Sequence, residues 1–135
     1  MWRFILVCIG GALGSGARYL VASWAVATWP LGYPVGTTIV NVVGSWFLAA
    51  VMDLSFRFDV IGPELRFFLA TGVAGGFTTY STFNWETMRL LEDRAYGLAA
   101  SYVVGTLLAC GVAGLLGVVT SRLAMAAVTA LFTKG

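Results

Sequence analysis

The residues with most to offer chemically form one run, Gly75-Gly76-Phe77-Thr78-Thr79-Tyr80-Ser81-Thr82-Phe83. Paired glycines weaken a helix, and the β-branched and hydroxyl residues after them compete for backbone hydrogen bonds. In hydrocarbon every backbone polar group needs a partner within the protein, so this run predicts a helix broken mid-membrane. The carbonyls released near Gly75 to Thr78 would then turn inward, where they suit coordination of a cation. The same residues also fit an unbroken close helix crossing, with the hydroxyls bonded back to their own turn.

Polar side chains elsewhere add donors without a fixed positive charge. Asn41 lies near the centre of an apolar stretch and needs a partner or a passing ligand. Tyr102, Thr106 and Cys110 recur at four-residue steps and share one helix face, and Ser81 and Thr82 add hydroxyls at the expected break. Such donors suit transient binding of a small hydrated anion. The edges of Tyr80 and Phe83, where aromatic potential is positive, can help replace its hydration shell. Each of these residues also suits ordinary interhelical bonding or packing. Arg18 is placed to collect anions in a vestibule, and Glu86, one turn past the run, to anchor a loop or bond a hydroxyl. Snorkelling to the interface fits both equally.

These residues need a membrane fold to position them. The 135-residue chain is 59% hydrophobic and 10% charged, with mean hydropathy +0.89, too little polar surface for a water-soluble fold of this size. Four apolar spans emerge, at about residues 4–27, 35–52, 64–89 and 96–123, forming a single all-α transmembrane domain over residues 1–135. The turn Trp29-Pro30-Leu31-Gly32-Tyr33-Pro34, the charged stretch through Asp53, Arg57 and Asp59, and Glu92-Asp93-Arg94 separate them. Residues 1–13 imitate a signal peptide and Ala25-Val26-Ala27 a cleavage site, but the rest of the chain is equally apolar, so this stretch is read as the first span.

An even number of spans puts both termini on one side. That side carries Arg3, Arg57, Arg66, Arg122 and Lys134 against Arg18, Arg89 and Arg94 on the other, a bias too small to fix one orientation. An antiparallel dual-topology dimer is therefore expected. Gly10/Gly14, Gly72/Gly76 and the series Gly105, Ala109, Ala113, Gly117 repeat at four-residue spacing, which favours close helix packing and more than one copy. The net charge of +2 lacks a basic stripe for nucleic acid. The absence of His, of any nucleophile with a nearby base and of a carboxylate pair argues against an enzyme, and Cys8 and Cys110 lie in apolar runs without ligand-like neighbours.

Taken with Gly36-Thr37 through Val40-Asn41 and Gly10-Gly11-Ala12 through Arg18-Tyr19, the nine-residue run resembles the CrcB/Fluc fluoride channel family over essentially the whole chain. The resemblance implies a dual-topology homodimer in the cell membrane, with two anion pathways that passively export cytoplasmic fluoride and exclude chloride. It makes Tyr80 and Phe83 the pore aromatics, Asn41 a polar contact, and Ser81, Thr82, Tyr102 and Thr106 a hydroxyl track. The carbonyls of Gly75 and Thr78 from both subunits would hold a structural sodium ion, Arg18 would be the vestibule arginine, and Glu86 the acidic residue beyond the break. Two positions depart from the family pattern: Tyr80 stands for a phenylalanine, and Cys110 for a serine with a stronger donor. Two rivals are a small dual-topology multidrug-type exporter and a non-transporting membrane assembly subunit. Residues 4–27 hold none of the acids on which proton-coupled exporters of the first kind rely.

Overall fold

In the computed structural model, described for residues 1–29 and 32–132, every regular element is helical. Pro30, Leu31 and Lys134, which figured in the expected turn and charge bias, lie outside the described residues. Helix α1 runs Trp2–Thr28, α2 Val35–Phe56, α3 Pro63–Arg66, α4 Gly75–Phe77, α5 Tyr80–Glu92 and α6 Tyr96–Phe132, with a π-helical segment Phe67–Ala74 joining α3 to α4. Three of these, α1, α2 and α6, are long and apolar enough to cross a membrane by length and composition. The remaining stretch, from Pro63 to Glu92, is assembled from shorter segments, none of which has that length alone.

Two helices outrun the expected spans because the charges that seemed to close them are partnered. Asp53 does not stop α2: Ser121 donates to its Oδ2 at 2.5 Å, and the Arg122 guanidinium lies 3.6 Å from its Oδ1. With Arg122 so engaged, α6 continues through the helix-favouring Leu, Ala and Met residues to Phe132. Its 37 residues make it about 55 Å long at 1.5 Å per residue, well beyond the roughly 30 Å hydrocarbon core. Residues 25–27, the apparent cleavage motif, lie inside the continuous helix α1.

Glycines on α1 fix where the π-helical segment and α4 sit. A Cβ on Gly10 would fall 2.5 Å from the Phe68 carbonyl oxygen, one on Gly76 would fall 2.5 Å from that of Gly11, and one on Gly14 would strike the Val73 carbonyl. The Gly10/Gly14 and Gly72/Gly76 pairs thus meet each other within one chain, and Gly117 on α6 admits the Trp46 carbonyl of α2 in the same way. At one end of the bundle Arg3 pairs with Glu64 at 3.3 Å, while Arg66 donates to Ser55 at 3.2 Å and covers the Phe56 ring.

Candidate functional site

Helical geometry lapses at two residues. Thr78 (φ −76°, ψ 158°) and Thr79 (φ −149°, ψ 119°) are extended, between α4 ending at Phe77 and α5 starting at Tyr80. Asn41 of α2 meets this stretch squarely. The Thr79 amide donates to Asn41 Oδ1 at 2.8 Å, and Asn41 Nδ2 donates to the Thr79 carbonyl at 3.0 Å. Thr79 also starts α5, its Oγ1 accepting from the Thr82 amide at 3.2 Å while donating to Thr82 Oγ1 at 3.0 Å.

These bonds redirect the backbone. In an uninterrupted α-helix the amides of Thr79 and Thr82 would donate to the carbonyls of Gly75 and Thr78. Here both amides bond side chains instead, so neither carbonyl receives its regular helical donor. The open Cα of Gly75, with nothing closer than 3.9 Å to a built Cβ, leaves that backbone approachable.

Beside the extended residues lies a cavity of about 260 Å³ between α2, α5 and α6. It is lined by Asn41, Thr78, Tyr80, Phe83, Thr106 and Cys110, all singled out by sequence, and by Gly44, Ser45, Thr79 and Leu107, which were not assigned roles. Among the described residues, no Asp, Glu, Lys or Arg lines it. Tyr80 is 77% exposed, with its ring centre 5.9 Å from that of the buried Phe83, which in turn lies 5.0 Å from the ring centre of Tyr102. Gly44 leaves room for the Thr78 methyl, against which a Cβ would collide.

Other expected members are placed elsewhere. Tyr102 is fully buried behind Phe83 and does not line this cavity. Its hydroxyl donates to Glu86 Oε2 at 2.7 Å, while Thr37 donates to Oε1 at 2.9 Å, so the carboxylate holds α2, α5 and α6 together. Thr106 lies 3.4 Å from Thr38, hydroxyl to hydroxyl. Ser81 is exposed and also lies outside the cavity. Thr82 and Arg18 line a second cavity of about 230 Å³ with Ser15, Thr37 and Thr79, on the other side of the Thr79 backbone. Of the residues not assigned roles, Thr37, Thr38 and Ser45 carried a legible signal, since with Asn41 they make a polar stripe along the otherwise apolar first half of α2.

Apolar helices of membrane-crossing length, packed around the stretch that carries Thr78 and Thr79, define a small multi-pass membrane protein. The chain belongs to the CrcB family: residues 5–118 match the family described as "CrcB-like protein, Camphor Resistance (CrcB)". It is 52% identical over 110 residues to the fluoride-specific ion channel FluC of Anaeromyxobacter dehalogenans, covering 82% of this chain and 87% of that one. It is 43% identical over 122 residues to the fluoride-specific ion channel FluC of Geobacter metallireducens, covering 90% of this chain and 98% of that one. Family and apolar helices together make it a multi-pass protein of the bacterial plasma membrane.

Proposed function

We propose that this chain is the subunit of a fluoride-selective channel that lets cytoplasmic fluoride leave passively and so protects the cell from it. The observation that carries this reading is the cavity at Thr78 and Thr79, which gathers amide, hydroxyl, thiol and ring-edge groups without a fixed charge. A fixed cation would trap a small anion, whereas weak neutral donors allow it to enter and leave. Asn41, Tyr80, Phe83, Thr106 and Cys110 form the pathway wall, with Tyr102, Ser81 and Thr82 next to it. Arg18 collects anions in the adjoining cavity, and Glu86 positions Tyr102 behind Phe83. The chain acts as a channel and not as an enzyme.

The working unit is an antiparallel, dual-topology homodimer whose interrupted third span lies mid-membrane. The exposed Gly75, Tyr80 and Ser81 support a second copy at this face. The carbonyls of Gly75 and Thr78, deprived of their helical donors, are hard neutral oxygens of the kind that suits a sodium ion, and a matching pair from each subunit would hold one. The ion would supply a positive charge that joins the two interruptions, while Asn41 and Thr79 keep the carbonyls turned outward from their own helix.

The test is ion efflux from liposomes containing only the purified protein. Fast fluoride release at the electrode with little chloride release supports the channel reading. No fluoride release from folded protein overturns it. Accessibility of a C-terminal tag from both sides of the membrane tests dual topology, and a one-sided result defeats it.

A further inference from the structure

A separate cavity of about 350 Å³ opens where the end of α1 and the start of α2 face α5. Its walls include Trp29, Tyr33, Trp85, Glu86, Arg89 and Asp93. An adjoining cavity of about 80 Å³ shares Trp29, Tyr33 and Glu86, so the Glu86 side chain borders both spaces. The rings are held in place from outside: Trp29 meets Trp24 edge-on with ring centres 5.0 Å apart, and Tyr33 meets Tyr102 edge-on at 5.5 Å.

The charges here do not cancel. Glu86 accepts hydrogen bonds from Thr37 and Tyr102, as a carboxylate does, yet among the described residues neither Glu86 nor Asp93 has an ion pair. Arg89, the one guanidinium among the described residues on the wall, lies 3.7 Å from Glu92. Two carboxylates without an ion pair among the described residues and three aromatic side chains therefore share one concavity with Arg89, whose charge Glu92 offsets. Ring faces carry negative potential and attract a weakly hydrated cation, while a strongly hydrated metal ion gains little from them. The volume is at the small end of ligand sites, which run from roughly 300 Å³ upward.

We propose that this cavity is a binding site for a small organic ammonium ion, its alkyl groups against Trp29, Tyr33 and Trp85 and its charge toward Glu86 and Asp93. The site is distinct from the anion cavity and stands whichever ion the channel conducts. Its link to that cavity runs through Tyr102, which bonds Glu86 and lies against Phe83.

The probe is benzyltrimethylammonium chloride, titrated into the purified full-length protein in lipid nanodiscs and followed by tryptophan fluorescence, with equal sodium chloride as the control. Saturable quenching absent from the control is expected, with the dissociation constant raised at least tenfold by Trp85→Leu and by Glu86→Gln. Trp85 is 62% exposed and lines neither the anion cavity nor the cavity at Arg18, so Trp85→Leu is expected to keep its fold and its fluoride efflux while losing the ammonium site. Absence of saturation, or unchanged affinity in folded Trp85→Leu, overturns the proposal. Failure of fluoride efflux in the parent protein would bear on the channel reading alone.

Discussion

Asn41 and Thr79 close a two-bond ring across the helix interruption, the asparagine amide taking both the N–H and the C=O that an α-helix would have paired within itself. A residue expected to meet a passing anion thus also serves as a surrogate for missing backbone. Asn41→Ala leaves the amide of Thr79, a residue only 6% exposed, without its partner. The expected cost is about 1–3 kcal/mol for the stranded group. It should appear as a lowered melting temperature of the detergent-solubilised protein together with lost fluoride efflux.

Asn41→Asp keeps the acceptor for the Thr79 amide but sets a carboxylate oxygen against the Thr79 carbonyl and a negative charge beside the anion route. Fluoride efflux should fall below a tenth of the parent rate. Full activity in liposomes would remove Asn41 from the pathway.

Phe83 lies between Tyr80 and Tyr102, with its ring at the cavity wall. Phe83→Ile keeps an apolar filler and deletes the ring edge. Efflux should drop at least tenfold with the fold intact by circular dichroism, and an unchanged rate would mean that the ring only packs.

The glycine seam makes a prediction about folding. A side chain at Gly14 has nowhere to go between Val73 and Phe77, whereas Gly16, two residues on, faces open space. Gly14→Val should cost about 1–3 kcal/mol or more, since backbone cannot move aside as a side chain would. It is expected to yield little monodisperse protein on size exclusion, with Gly16→Ala matching the parent.

Tyr102→Phe removes one of two donors to Glu86 and keeps the ring that packs against Phe83. A hydrogen bond to a charged group is worth about 1.5–3 kcal/mol. The melting temperature should fall accordingly, with a larger loss of efflux than in Thr38→Val, whose hydroxyl meets only Thr106 and the Pro34 carbonyl.

Sequence by itself determined the membrane setting and the helical class. Apolar length and turn residues act locally, and local preferences are written residue by residue, whereas Gly75 and Gly76 stay helical and the extended residues fall at Thr78 and Thr79. It also picked out Asn41, Tyr80, Phe83, Thr106 and Cys110, because polar or aromatic groups within long apolar runs stand out. Tertiary structure decided what those groups touch. Nothing in Phe67-Phe68-Leu69-Ala70-Thr71-Gly72-Val73-Ala74 distinguishes a π-helix from an α-helix; the segment with the wider turn is the one seated against the α1 glycines. That Asp53 would not end α2, that Tyr102 would turn to Glu86 behind Phe83, and that Thr79 would bond Asn41 each depend on a residue at least 16 positions away. Such pairings arise only when separate helices meet, and no spacing along one helix records them.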